Sequence, residues 1–200
     1  MSDAVATLAL PNKRLQRAPL KRDVSPLLQF DRMNAITLAA LRAFPQQLED
    51  HYAAFPAESK NWAPPSWEGV PSEPLTAIEQ VCHVRDIETD GYHVRLHRTL
   101  TEINPTLASI DTEALAKERA YGKSDATAAL AAFRQARKQT VALIDGLAPE
   151  QFDRTAVFEG YGPLSVRSLV HYLCSHDQQH LAGLQWLLGK WEASRVPAQG

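Results

Sequence analysis

Two cysteines, Cys82 and Cys174, are all that this 200-residue chain contains. They are too few for a disulfide framework, and both fall inside apolar helical patterns, which suits a reducing compartment. No apolar run approaches the ~18 residues that a membrane span requires. The stretch from Met1 to Leu10 lacks a basic leader and a long apolar core, so it makes a poor signal peptide. Neither sign of charge dominates: 21 basic residues stand against 23 acidic ones, for a net charge of −2. That balance offers no general field for nucleic acid or an anionic membrane. These absences predict a soluble, cytoplasmic protein with neither nucleic acid nor membrane as partner. Apolar–polar alternation of useful length is missing too, as is any internal repeat, which leaves helices.

What is present is enough apolar material, 44% of residues, for one core and one domain. Residues 1–24 mix Ala and Leu with a basic cluster (Lys13, Arg14, Arg17, Lys21, Arg22) and read as an arm. A helical domain spans 25–194 and a short tail 195–200. Ser25-Pro26 opens a first helix to about Tyr52, with its stripe on Phe30, Met33, Thr37, Leu41, Phe44 and Leu48. Pro45 predicts a kink or break in it. Six prolines and glycines between Phe55 and Pro74 make a loop that carries Trp62 and Trp67, as a functional cover or as packing. Thr76 and Glu79 form a capping box for a second helix to about Ile103, stopped at Asn104-Pro105. A short helix is expected near 113–121. Ser124 or Asp125 caps a third long helix that Gly146 and Pro149 close. After a loop over 149–164, Ser165 caps the last helix, to about Lys190. Four long helices with long connections predict an all-α fold, a four-helix bundle with crossover connections.

The most informative segment is His176-Asp177-Gln178-Gln179-His180. Its two imidazoles stand at i and i+4, on one helix face. They interrupt an apolar stripe of Leu169, Leu173, Leu184 and Leu187, where a core helix would place leucine. Buried imidazoles need partners, either a shared metal ion or hydrogen bonds within the core, and the motif alone leaves both open. A catalytic site wants three protein ligands and an open position, so a third must come from another helix. The candidates are His51, His83, His93, His97 and His171. His171 points away on the helical wheel. His93 and His97 pair at i,i+4 beside Arg95 and Arg98, which reads as a solvated face. His83 lies among Val81, Cys82, Val84 and Ile87. Asp86, one turn on, and Asp177 could orient the imidazoles from behind. The metalloprotease pattern H-E-x-x-H is matched only in part, with Asp177 in place of glutamate, and repeated Glu-x-x-His of the di-iron type is absent.

These residues together resemble the DinB superfamily, in particular its YfiT-like branch. The resemblance rests on His83-x-x-Asp86 with Tyr92 downstream, on Phe133-Arg134-x-x-Arg137, and on His176-Asp177-x-x-His180-Leu181, and spans about residues 34–190. In one departure, the tryptophan that many members place just before the second helix is here Leu75, with Trp67 earlier in the loop. The resemblance implies a bundle that holds one divalent metal ion, zinc or nickel, on His83, His176 and His180. It also implies a metal-dependent enzyme: relatives include S-transferases and isomerases that use bacillithiol, mycothiol or glutathione, and hydrolases. The leading expectation is transfer of a low-molecular-weight thiol to an electrophilic small molecule, with hydrolysis second. The rival is a non-catalytic, stress-associated interaction protein whose metal staples the helices, closed by a fourth ligand such as Cys82, Cys174 or Asp86. Bundles of this size often pair, and the arm or the loop tryptophans could contribute to a homodimer contact.

Overall fold

The computed structural model describes residues 33–197. The arm at 1–24 and the opening of the first helix at Ser25 lie outside the described residues. Four long helical stretches follow one another. They are α1 (Ala35–Ala53), α2 (Ala77–Asp86) continuing through a π-helical segment (Ile87–His93) into α3 (Val94–Thr101), α5 (Ala126–Asp145) and α6 (Val166–Ser194). A short α4 (Thr112–Glu118) lies before α5. No helix among the described residues is long and apolar enough to cross a membrane.

Local chemistry sets the helix starts. Glu79 accepts from both the backbone N–H and the hydroxyl of Thr76, Asp125 accepts from the N–H groups of Thr127 and Ala128, and Ser165 accepts from Ser168. Each of α1 and α2 packs against both α5 and α6. α1 and α2 therefore sit on one diagonal and α5 and α6 on the other, and the connections at 54–76 and 146–165 cross the bundle. A four-helix bundle with crossovers is what the long connections predicted.

The loop expected at 149–164 carries two strands of a small three-stranded sheet instead. β1 (Thr106–Leu107) runs parallel to β2 (Thr155–Phe158), which forms a hairpin with β3 (Gly162–Ser165). Strands of two to four residues are too short to display a period of two. Gly160 and Gly162, both near φ +80°, supply the turn.

The apolar core comes in two clusters. One gathers Leu41, Leu96, Ile144, Leu169 and Leu173; the other gathers Phe44, Leu48, Val81, Phe133, Leu184 and Leu187. Between them a polar belt crosses all four helices. Its centre is Arg137 on α5, 2% exposed. The guanidinium donates in a fork to Glu88 (2.9 and 2.9 Å) and in a second fork to Asp177 (2.6 and 2.9 Å). It also donates to the carbonyl of Leu41 at 3.3 Å. That last bond explains why α1 runs through Pro45 without a break, where a kink or a break was expected. Proline lacks the N–H that would serve the carbonyl four residues back, and Arg137 serves it instead. Burial pushes the Asp177 carboxyl up to about 7 against the pull of Arg137, since Glu88 shares the same cation.

Removing Arg137 alone would strand two buried carboxylates. Arg137→Met should therefore cost about 3–5 kcal/mol in urea unfolding. Adding Glu88→Gln and Asp177→Asn to it should recover part of that loss; a triple variant no more stable than the single one would contradict this account.

Candidate metal centre

On α6, His176 and His180 follow one another by a turn at the level of the polar belt. α2 runs antiparallel to α6 and brings His83 to the same height. The three Nε2 atoms converge: His83 to His176 is 3.1 Å, and His176 to His180 is 3.1 Å. His83 and His180 are buried, while His176 is half-buried. A fourth donor comes from the proline-rich loop. Glu73 lies 3.7 Å from His83 Nε2 through Oε1 and 3.3 Å from His180 Nε2 through Oε2. All four donor atoms fall within 4.8 Å of one another. Tetrahedral ligands about 2.0–2.1 Å from a zinc ion stand roughly 3.3–3.4 Å apart, so this set of three imidazoles and one carboxylate fits such an ion.

The loop is held down by aromatic pairs against α6. Trp62 meets Trp191 edge to face at 5.4 Å, and Trp67 stacks on Trp186 at 6.1 Å. The tryptophans thus pack, and their packing carries Glu73 to the histidines. Behind His180, the fully buried Gln80 accepts from Nδ1 at 2.9 Å and donates its own amide N–H to the Leu75 carbonyl. With Nδ1 carrying the proton, Nε2 presents a lone pair to the centre. Gly183 on α6 allows this approach. A Cβ there would stand 2.9 Å from both terminal atoms of Gln80 and collide with the Ser72 hydroxyl.

The electrostatics suit a cation. Burial, then the neighbouring His180, lowers the His83 pKa to about 4, against the opposing pull of Glu73 and Asp86. Burial and the other two rings hold His176 well below the usual histidine range. Burial pushes Glu73 up, but the His180 hydrogen bond and the charges of His83 and His180 outweigh it and hold the carboxyl well below the usual range. Three ring nitrogens this close cannot all be protonated. Burial keeps His83 and His176 neutral at neutral pH, so their ring lone pairs face one carboxylate.

A family model for the DinB superfamily matches residues 30–184. The chain belongs to the DinB superfamily. The solved structure of YfiT from Bacillus subtilis, described as a probable metal-dependent hydrolase with an unusual four-helix bundle topology, shares the fold at a TM-score of 0.69. The two chains are 18% identical, and the match covers 78% of this one and 86% of that one. No curated protein matches the sequence.

Within this DinB-like bundle, the structure brings His83, His176 and His180 together and leaves the other histidines out. His51 bonds the Gln47 carbonyl, and His171 bonds Thr37. His93 does not sit on a solvated face: it is half-buried against Thr140 and the Ala136 carbonyl, while His97 is exposed. The two aspartates expected to orient the imidazoles are engaged elsewhere. Asp86 accepts from Arg85, Arg119 and Tyr121. Asp177 faces away from His176 because it serves Arg137. Gln80 takes the orienting role instead. Neither cysteine is a donor here: Cys82 is directed at the Tyr121 carbonyl, and Cys174 packs beside the first apolar cluster. Glu73 carried no motif. Its only sequence signal was its place in a long loop with two tryptophans.

Two expectations follow. Gly183→Ala touches no donor, yet by displacing Gln80 it should weaken zinc binding roughly 10–100-fold, read by competition with a chromogenic chelator. Unchanged affinity would show that Gln80 does not set the His180 tautomer. In the metal-free protein, His83 takes up its proton only near pH 4 when folded, against 6.5 when unfolded. Its contribution is therefore full above 6.5 and lost as pH falls from 6.5 towards 4, on the order of 3 kcal/mol in all. Asp177 acts with the opposite sign over much of this range, since its folded pKa is raised. The measurement is thus the difference in urea midpoint between wild type and His83→Ala at pH 7 and pH 5, which should shrink on acidification.

Proposed function

We propose that the protein is a metal-dependent enzyme that binds one divalent cation, zinc or nickel, on His83, His176 and His180. We further propose that it transfers a low-molecular-weight thiol to an electrophilic small molecule, with hydrolysis as the related second reaction. The observation that carries this reading is the convergence of three Nε2 atoms and one carboxylate between the helices, beside a cavity that reaches His83, His176 and Glu73. When bound there, a divalent cation supplies a Lewis acid that lowers the pKa of a thiol or water, so that the nucleophile exists near pH 7.

The chain's own residues do the rest. The buried rings of His83 and His180 exclude solvent from one side. Gln80 keeps the proton on His180 Nδ1. Glu73, half-exposed on a loop rather than fixed on a helix, is placed to hydrogen-bond the nucleophile and orient it. The choice of thiol transfer leans on the family resemblance, and hydrolysis on the description of YfiT.

Glu73 also favours a second reading. As a fourth donor it would close the site, and the ion would then staple loop to helices without catalysis.

Metal content per chain, measured on protein purified without a His-tag, separates these readings. Wild type should carry about one equivalent, and His176→Ala and His180→Ala should carry none. Folded wild-type protein that holds no metal and cannot be reloaded would overturn both. Glu73→Gln should keep its metal and lose consumption of free thiol if the enzyme reading is right. If it instead loses the metal along with thermal stability, the closed structural site is the better account.

A further inference from the structure

The cavity beside the histidines contains a cation that no described residue neutralises. Arg95, at the start of α3, is 7% exposed. Among the described residues it makes no ion pair. Its one hydrogen bond is a long one, 3.4 Å from Nη2 to the Ala108 carbonyl, and Nε has no partner at all. The guanidinium lies over Phe158, 4.4 Å from the ring centre, and over Tyr92 at 5.4 Å. Arg98, its neighbour in the same basic stretch, is fully engaged by Glu102 and the Thr106 carbonyl. Arg137 has two carboxylates. A buried guanidinium without an anion is disfavoured, so a fold that keeps one has a use for it.

Its surroundings indicate the use. The cavity, about 320 Å³, has Glu73, His83 and His176 at one end and Tyr92, Arg95 and Phe158 along its wall. Tyr92 bridges the two, with its ring 6.4 Å from that of His176. Arg95 is the one lysine or arginine in the lining. The π-helical segment prepares the place: a Cβ on Gly91 would stand 3.0 Å from Arg95 Nη1, so glycine leaves the fork its room. Tyr161, 58% exposed, stacks on Phe158 at 4.7 Å and extends the aromatic wall outward.

We propose that Arg95 anchors a carboxylate on the substrate, so that the enzyme acts on a small monoanionic acid with a flat, apolar body. The planar fork of arginine matches the two oxygens of a carboxylate. A single cation balances a single charge, whereas a phosphate dianion would leave one charge unpaired. The volume stands at the small end of ligand sites, which suits a compact acid. Held there, the acid directs its other end along the aromatic wall towards the histidines. The catalytic sense of this inference rests on the metal reading above, but the anchor itself does not.

Calorimetry with benzoate and its neutral analogue benzamide tests it, on metal-free and on zinc-loaded protein. Wild type should prefer benzoate by at least about tenfold in both states, as expected of a charge-assisted pair. Arg95→Gln should abolish the preference, Arg95→Lys should retain part of it, and Gly91→Ala, which crowds the fork, should reduce it. If Arg95→Gln does not fold, the wild-type and Gly91→Ala comparisons still decide. Equal binding of the two probes, no binding of either, or a preference that survives in Arg95→Gln would overturn the proposal. A preference seen only with zinc would place the carboxylate on the metal, overturning the anchor and leaving the metal reading intact. A preference in protein that never takes up zinc would do the reverse.

Discussion

One guanidinium holds this bundle in register. Arg137 reaches Glu88 on the π-helical segment, Asp177 on α6 and a backbone carbonyl on α1, while standing on α5. Any slide of one helix past another would leave a charge of this clamp unpaired in a medium that cannot solvate it. Apolar packing alone would tolerate such slides. The clamp thus sets the height at which α2 and α6 cross, and with it the distance between His83 and the pair on α6.

The candidate centre is an outgrowth of the same belt. Asp177 and His176 are adjacent on α6 and point to different sides, one to Arg137 and one to the cavity. The belt contains two kinds of buried polar group, and the difference is informative. Arg137, Glu88, Asp86 and Gln80 are satisfied by neighbours and build the scaffold. The rings of His83 and His176, the half-exposed Glu73 and Arg95, which has no ion pair among the described residues, line a common cavity and are not. Polar groups left with open capacity next to a cavity are where a ligand finds its partners.

Much of the fold was legible along the chain. Capping at Thr76, Asp125 and Ser165 and the apolar stripes mark helix starts, because both are local: a cap involves residues within three positions, and a stripe needs only the helical repeat. The small sheet was not legible, since its strands take their partners from distant segments. The π-helical segment was equally hidden, though Asp90-Gly91 inside a helical pattern is the kind of weak point where one forms. At the site, the two histidines of α6 announced themselves by replacing leucines in a stripe. His83 did so less clearly, because its helix is buried on most sides. The two aspartates misled for a simple reason: sequence proximity to histidine says nothing about which way a carboxylate turns when an arginine from another helix competes for it.

The choice of His83 rested on the family resemblance; by itself, the sequence pattern determined the helices, the crossovers and the imidazole pair on α6. These depend on periodicity, on local hydrogen bonds and on connection lengths. Only the tertiary structure decided the partners. Glu73 reaches the centre because two tryptophans pin its loop to α6, Gln80 stands behind His180 because Gly183 leaves space, and Arg95 lines the cavity with no acid among the described residues folded against it. Each of these is a contact between segments far apart in the chain, set by packing rather than by spacing.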